Sequence, residues 1–435
     1  MEKFFILFRL GIKYLYRYRR RYGFLMAALI FCFAVVTFIT SMRDGMYDNL
    51  YHAAQSHYAG DIVVAGYNSG YAQRHHLGQR EISSILNAAD AVGINPRYTV
   101  MRTLHFENAT LHFHGFAVPV RHLIGSDWDS EEHLFSRKTF YQPPHAFNDD
   151  TIILSLPKAQ MLNARMGDSV LLEIETRWGQ RNTGIFIVDG IVRDASVFGF
   201  YKAYVSRLTL NRLMLFDDHD TSSIGFFLHD TNRAEQKRQR LHEALAGELQ
   251  VLPLVHDRDG FFRERRRLQY GTNVAVYTLA VYLSEVADLL NAMNLVAYFL
   301  YGMMLLIILV SAAVTYRLIL HERTRELGTM RAIGFYGADL RLVLWVEIIG
   351  VGIFSLAAGF LLARVFSWGV SLLSFSWFPS FEIFMRDGRL TALYLPGTTL
   401  INVISVFLLL LVVTLFPSFK ASRKNLPGLL SGEPL

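Results

Sequence analysis

The stretch "HERTRELGTMRAIGFYGADL", His321–Leu340, sets three arginines and two glutamates between two of the most apolar runs in the chain. "LVAYFLYGMMLLIILVSAAV" (Leu295–Val314) precedes it, and a run from Leu342 to Val370, containing "IIGVGIFSLAAGFLLA", follows. Two further runs have the same character: "GFLMAALIFCFAVVTFITSM" (Gly23–Met42) and "TTLINVISVFLLLLVVTLF" (Thr398–Phe416), the latter closed by Pro417. A helix of about 20 apolar residues crosses a bilayer. Four transmembrane helices are therefore expected, over 23–42, 295–320, 341–370 and 398–416.

Composition agrees. Of 435 residues, 52% are hydrophobic and 18% charged, whereas about a quarter are charged in soluble domains. Cys32 is the single cysteine, which excludes an intrachain disulfide and any cysteine-based metal site. The first apolar run is too long for a secretory signal, and nothing like A-x-A follows before Arg43. It is expected to stay as an anchor.

The net charge of +6 resides largely in three clusters. "KYLYRYRRRY" (Lys13–Tyr22) precedes the first span; Arg317, Arg323, Arg325, Arg331 and Arg341 lie between the second and third; Lys420, Arg423 and Lys424 follow the fourth. With four spans all three fall on one side, and short basic flanks mark the cytoplasm. The charge is thus topological, and nucleic acid is not an expected partner.

Residues 43–256 then form an external domain and 371–397 an external loop. The domain reads as mixed α/β, inserted between the first two spans. "DIVVAGY" reads as a strand and "REISSILNAAD" as a helix. "YTVMRTLHFENATLHFHGFAV" alternates about a turn placed at Glu107–Ala109, which suggests a hairpin. Next come strand, short helix, a Gly167–Asp168 turn and a second hairpin, up to Asp194. Further strands are expected in "KAYVS", "SIGFFLHD" and "QVLPLV", with helices in "RLTLNRLM" and "NRAEQKRQRLHEALAGEL". From Asp257 a helical pattern hardly stops before Glu322, so 257–294 is expected to be a stalk helix. Residues 1–22 alternate aromatic and basic side chains, as an interfacial helix does, and 417–435 form a cytoplasmic tail. Residues 321–340 have the spacing of an amphipathic helix with Leu327, Met330 and Ile333 inward. Glu322, Arg325, Glu326 and Arg331 then face outward, and Gly334 is a stop signal.

Motifs for catalysis are missing. There is no G-x-x-x-x-G-K-[ST] loop to cradle nucleotide phosphates, no G-x-S-x-G and no H-E-x-x-H. His75 with His76, and His112 with His114, fall short of the three or four ligands zinc takes. Surface or hydrogen-bonded histidines are expected, and no metal. Ionisable residues inside a span are costly and count as functional candidates. Glu347 is one, either in a structural pair or in transmission, and Arg364 is another, expected to snorkel outward. Gly350, Gly352, Ala357, Ala358 and Gly359 would let a second helix approach closely.

"ERTRELGTMRAIGF" is similar to the E-R-x-x-E-I-G-x-L-R-A-x-G pattern of the MacB/FtsX superfamily of ABC transporter permeases, which includes the LolC/LolE lipoprotein-release subunits. "WVEIIGVGIFSLAAGFLLA", "FPSFKASRKNLPGLLSGEP", "IILSLPKAQMLNARMGDSVLLEI" and "FIVDGIVRDASVFGFYKAYVS" resemble further segments of that family. The resemblance implies that 321–340 is a coupling helix docking on a cytoplasmic ATPase. Its contact positions would be Glu322, Arg323, Arg325, Glu326, Gly328, Thr329, Arg331 and Gly334, with Glu347, Gly350, Gly352 and Gly359 in packing and transmission. It also implies a bacterial inner membrane, an ATPase dimer holding ATP and Mg, and a second permease that is a copy or a relative. Lipoprotein release is the first expectation for its output. Efflux of a peptide or antibiotic with a periplasmic adaptor, and FtsX-like control of a cell-wall enzyme, are the alternatives.

Overall fold

The computed structural model describes residues 9, 13–14, 16, 19–58, 60–72, 75–94, 98–126, 139–145, 148–193, 202–228, 230–265, 269–375, 384–386 and 388–423. The expected interfacial helix over 1–22 and the tail over 417–435 fall largely outside them. The chain divides into two compact units, one of residues 1–47, 291–374 and 389–435, the other of 48–290 and 375–388.

The first unit is helical. It draws on α1 (Arg19–Tyr58), α7 (Leu279–Glu322), α8 (Thr324–Ala332), α9 (Gly337–Ser371) and α10 (Pro396–Arg423). Among the described residues four stretches are long and apolar enough to cross a membrane: Tyr22–Gln55, Leu290–Glu322, Gly337–Ser371 and Pro396–Phe419. Their inward faces share one core, in which Leu29 and Phe33 meet Ile308, Ala312, Leu344, Ile348, Val351 and Leu410. Their outward faces stay apolar, with Phe299, Leu306, Val310, Leu361, Leu400 and Leu408 exposed. A helix apolar all round belongs in a core or a membrane. Some polar side chains inside the bundle find partners on other helices: Asn402 donates to Thr40 Oγ1 at 2.8 Å, and Tyr316 and Ser418 hydroxyls meet at 2.7 Å.

Of the small-residue face on α9, Gly359 is the tightest point. A Cβ there would lie 2.8 Å from the Ile30 carbonyl oxygen and 2.9 Å from Phe33 Cδ1, so α1 and α9 touch backbone to backbone. Gly352 lies under Leu410, and Gly350 is half-buried. Pro417 does not close the fourth span. It sits inside α10, which continues to Arg423; neighbouring helices can satisfy a carbonyl that proline leaves free.

The second unit is mixed α/β. Among the described residues ten strands form one sheet: β1 (Ile62–Asn68), β2 (Tyr98–Phe113), β3 (Phe116–Ser126), β4 (Thr139–Gln142), β5 (Thr151–Ser155), β6 (Ser169–Glu175), β7 (Arg181–Arg193), β8 (Lys202–Ser206), β9 (Ser223–Phe226) and β10 (Thr272–Thr278). The helices are α2 (Gln79–Ala91), α3 (Leu156–Leu162), α4 (Arg207–Met214), α5 (Ala234–Ala246) and α6 (Arg258–Arg265). The pairings β2–β3, β3–β8, β8–β5, β5–β7, β7–β6 and β6–β2 close on themselves. This ring encloses Leu111, Val120, Leu154, Leu172, Phe186 and Val205, and closure leaves those strands without free edges. The remaining strands run β10–β1–β9–β2. Ile62, Val64, Val274 and Val276 on one of their faces pack against Ile85, Ala89, Leu241 and Leu245 of α2 and α5. The alternate residues Ala65, Tyr67, Ala275 and Tyr277 pack on the other face with Leu252, Val255 and Val281.

Three expectations need correction here. The stalk helix over 257–294 is not continuous: Thr272–Thr278 is a strand, paired from Ile62↔Thr278 to Asn68↔Thr272. "TNVAVYT" is buried on both faces, and such a run has no period that separates strand from helix. The hairpin turn is at His114–Gly115, both at positive φ (45° and 87°), not at Glu107–Ala109, where β2 instead carries a register shift. Positive φ at both central residues is what tight hairpin turns require. "QVLPLV" contributes only the Val251↔Val274 bridge, which covers the outer edge of β10.

Candidate functional site: the elbow between two spans

α7 ends at Glu322 and α8 begins at Thr324, so Arg323 alone separates them, at φ −99° and ψ 8°. Its N–H is shared between the Ile319 and Leu320 carbonyls at 3.2 Å. The Thr324 hydroxyl donates to His321 O at 2.7 Å and to Leu320 O at 3.2 Å, capping the last carbonyls of α7. Gly334, at φ 104°, stops α8 through Phe335 N–H to Met330 O at 3.1 Å. α9 then opens with the Asp339 carboxylate accepting the Tyr336 N–H at 3.0 Å.

Thr324, Leu327, Gly328 and Met330 form the buried stripe of α8. Arg325, Thr329, Glu322 and Gly334 are exposed, and Glu326 and Arg331 are half-exposed. Ile333, expected inward, is 79% exposed. At about 100° per residue the stripe through 324, 327 and 330 continues to 331 and 334 rather than 333. Ile333 therefore falls on the outer face of α8 with Arg325 and Thr329, and Tyr336, beyond the Gly334 turn, is exposed as well.

Arg323 departs from its expected role. Its side chain is fully buried rather than presented to a partner. Nη1 donates to Glu347 Oε2 at 2.5 Å and Nη2 to Glu347 Oε1 at 3.2 Å, a two-pronged pair. Tyr22 OH, on α1, donates to the same Glu347 Oε2 at 2.6 Å. Nε reaches Glu326 Oε2 at 3.3 Å, and the guanidinium lies 5.2 Å from the centre of the Tyr14 ring. Burial disfavours the Arg323 charge, but Coulombic attraction and hydrogen bonding from Glu347 outweigh it and raise the pKa above the ordinary arginine value. The guanidinium remains charged at any pH the protein meets. Glu347, also fully buried, thus has its partner in the very residue read from sequence as an ATPase contact. That pairing is non-local, so no spacing in the sequence signals it.

The other singled-out residues are placed as follows. Arg364 lies 5.1 Å from the Tyr394 ring centre. His76 Nε2 is 2.9 Å from Asp220 Oδ2, and His112 Nε2 is 3.1 Å from Glu173 Oε2. His75 packs edge-on against Tyr67, and His114 occupies the hairpin turn. Cys32 is buried as a free thiol.

Residues 298–426 match the family described as FtsX-like permease C-terminal. This part of the chain is similar to an FtsX-like permease C-terminal domain. Among solved structures, the periplasmic region of MacB from Actinobacillus actinomycetemcomitans aligns over 54% of this chain and 96% of its own, at 12% identity and a TM-score of 0.31. Likeness at that level carries no weight for the second unit's role. No curated protein matches the chain.

Proposed function

We propose that this chain is the bacterial inner-membrane permease subunit of a lipoprotein-releasing ABC transporter. ATP and Mg act in a cytoplasmic ATPase dimer, and a second permease, identical or related, completes the complex. The observation that carries this reading is α8: a short helix joining two apolar spans within the FtsX-like domain, with Arg325, Thr329, Ile333 and Tyr336 exposed together. Those side chains offer one cation, two hydroxyls and the apolar surfaces of Ile333 and the Tyr336 ring to a docking groove. Glu322, Glu326, Arg331 and Gly334 border the same surface, while Arg323 and Gly328 support it from beneath.

The output is motion passed to the external domain, which releases a lipid-anchored protein from the outer leaflet without a pore through the bilayer. Purification from native membranes, with identification of what co-purifies, tests the assembly. The complex should contain an ATPase, and a triacylated lipoprotein should stimulate its hydrolysis. Stimulation absent, with a periplasmic adaptor or a cell-wall hydrolase co-purifying instead, would replace lipoprotein release by efflux or by regulation. Hydrolysis of ATP by this chain alone would contradict the division of labour.

A further inference from the structure

We propose that Arg323 is a positioning residue that pins the α7–α8 joint, and that Glu347 and Tyr22 are the two anchors of that pin. Its consequence for transport rests on the permease reading above; the joint itself does not.

The geometry is specific to a joint. Arg323 is the one residue between two helices, and its backbone departs from the helical ψ of its neighbours. A free elbow there would bend readily, because its N–H is split between two carbonyls at 3.2 Å. Its side chain instead turns inward and reaches two other helices, α9 through Glu347 and α1 through Tyr22. Arg323, Glu347 and Tyr22 are each 0% exposed. Two charges in such a place gain little over well-packed apolar side chains, since desolvation offsets their attraction. What they add is direction: a planar fork meets a carboxylate in one orientation only. A pull on α8 is then passed at once to α1 and α9 rather than absorbed by bending at residue 323.

The test is a distance measurement in the full chain, in lipid nanodiscs, with Cys32→Ser and spin-labelled cysteines at Leu318 of α7 and Ala332 of α8, both exposed. The parent should give one narrow distance distribution. Arg323→Gln and Glu347→Gln should each broaden it, and the reversed pair Arg323→Glu with Glu347→Arg should narrow it again. If either single variant fails to insert, Tyr22→Phe, which keeps both charges, should broaden it to a lesser degree. A distribution of parental width in the single variants, or in Tyr22→Phe where those cannot be made, overturns the proposal. In the complex purified from native membranes, Arg323→Gln should retain the ATPase but cut stimulation by a triacylated lipoprotein roughly tenfold, the scale of a typical coupling between sites. Loss of the ATPase from that variant would make Arg323 a contact and overturn the pin. If the parent brings down no ATPase, the permease reading fails, while the distance measurement still decides the joint.

Discussion

Arg323, at the joint of α7 and α8, and Glu347, on α9, stand 24 residues apart in sequence, yet they share two hydrogen bonds, of 2.5 and 3.2 Å, with neither side chain open to solvent. The bond makes the connection between two spans part of the bundle's interior. Removing one partner from such a pair strands a buried charge, which costs about 3–5 kcal/mol. Glu347→Ala should therefore lower the melting temperature of the detergent-purified chain markedly. Glu347→Gln, which keeps an acceptor for Arg323, should lower it less, and equal melting of both variants would contradict the pairing.

Gly359 makes a second prediction, about helix packing. A side chain there meets the Ile30 carbonyl oxygen at 2.8 Å, and the backbone cannot yield cheaply. Gly359→Ala should destabilise by about 1–3 kcal/mol, the usual cost of overpacking. Gly369→Ala, on the same helix with nothing within 4 Å, is the control. It should be neutral or slightly stabilising, because alanine is the better helix former. Thermal melting of the two variants side by side distinguishes the outcomes.

In the second unit, Asp61 gathers the first turns of the domain. The carboxylate is buried; Oδ1 accepts from the Tyr51 hydroxyl and from Gln55 Nε2 at 3.0 Å, and Oδ2 accepts the Leu228 N–H at 2.7 Å. Asp61→Ala leaves those donors unsatisfied, at about 1–3 kcal/mol for each buried group. Hydrogen exchange at Leu228 should accelerate in Asp61→Ala and remain slower in Asp61→Asn. Unaltered exchange at that amide would remove Asp61 from the account.

The hairpin tip offers a purely conformational test. Gly115 has φ 87° with open space around it, so a side chain is opposed by backbone strain alone. Gly115→Val should destabilise the chain by about 1–2 kcal/mol, and Gly115→Asn, which tolerates that region, by less. Equal effects, read by melting, would argue for a different turn.

The spans, the short helix between two of them and its stop at Gly334 are legible in the sequence, because each depends on local composition or on helical period. The surface of α8 was legible only in part. Arg325 and Thr329 follow from the motif, whereas Ile333 lies off the buried stripe by a third of a turn and was placed inward. The Arg323–Glu347 pair left no local trace at all: an arginine among charges reads as solvated, and only the folded bundle brings a carboxylate beneath it. The strand Thr272–Thr278 was hidden for a different reason, since burial on both faces erases the alternation that marks a strand. The turn lies at His114–Gly115 rather than at the more polar Glu107–Ala109, because glycine at positive φ is the stronger physical requirement.

In the function proposed above, the exposed face of α8 meets an ATPase. Photo-crosslinking in native membranes tests it most directly, with a benzophenone amino acid at exposed Thr329 and, as control, at Ile353, which is exposed on the third apolar span. An adduct is expected from position 329 and not from position 353, with a nucleotide-binding ATPase subunit as its partner. Loss of that adduct on adding Arg325→Glu would localise the contact further. An adduct with any other protein at position 329, or none in a membrane that contains the intact complex, would contradict the claim.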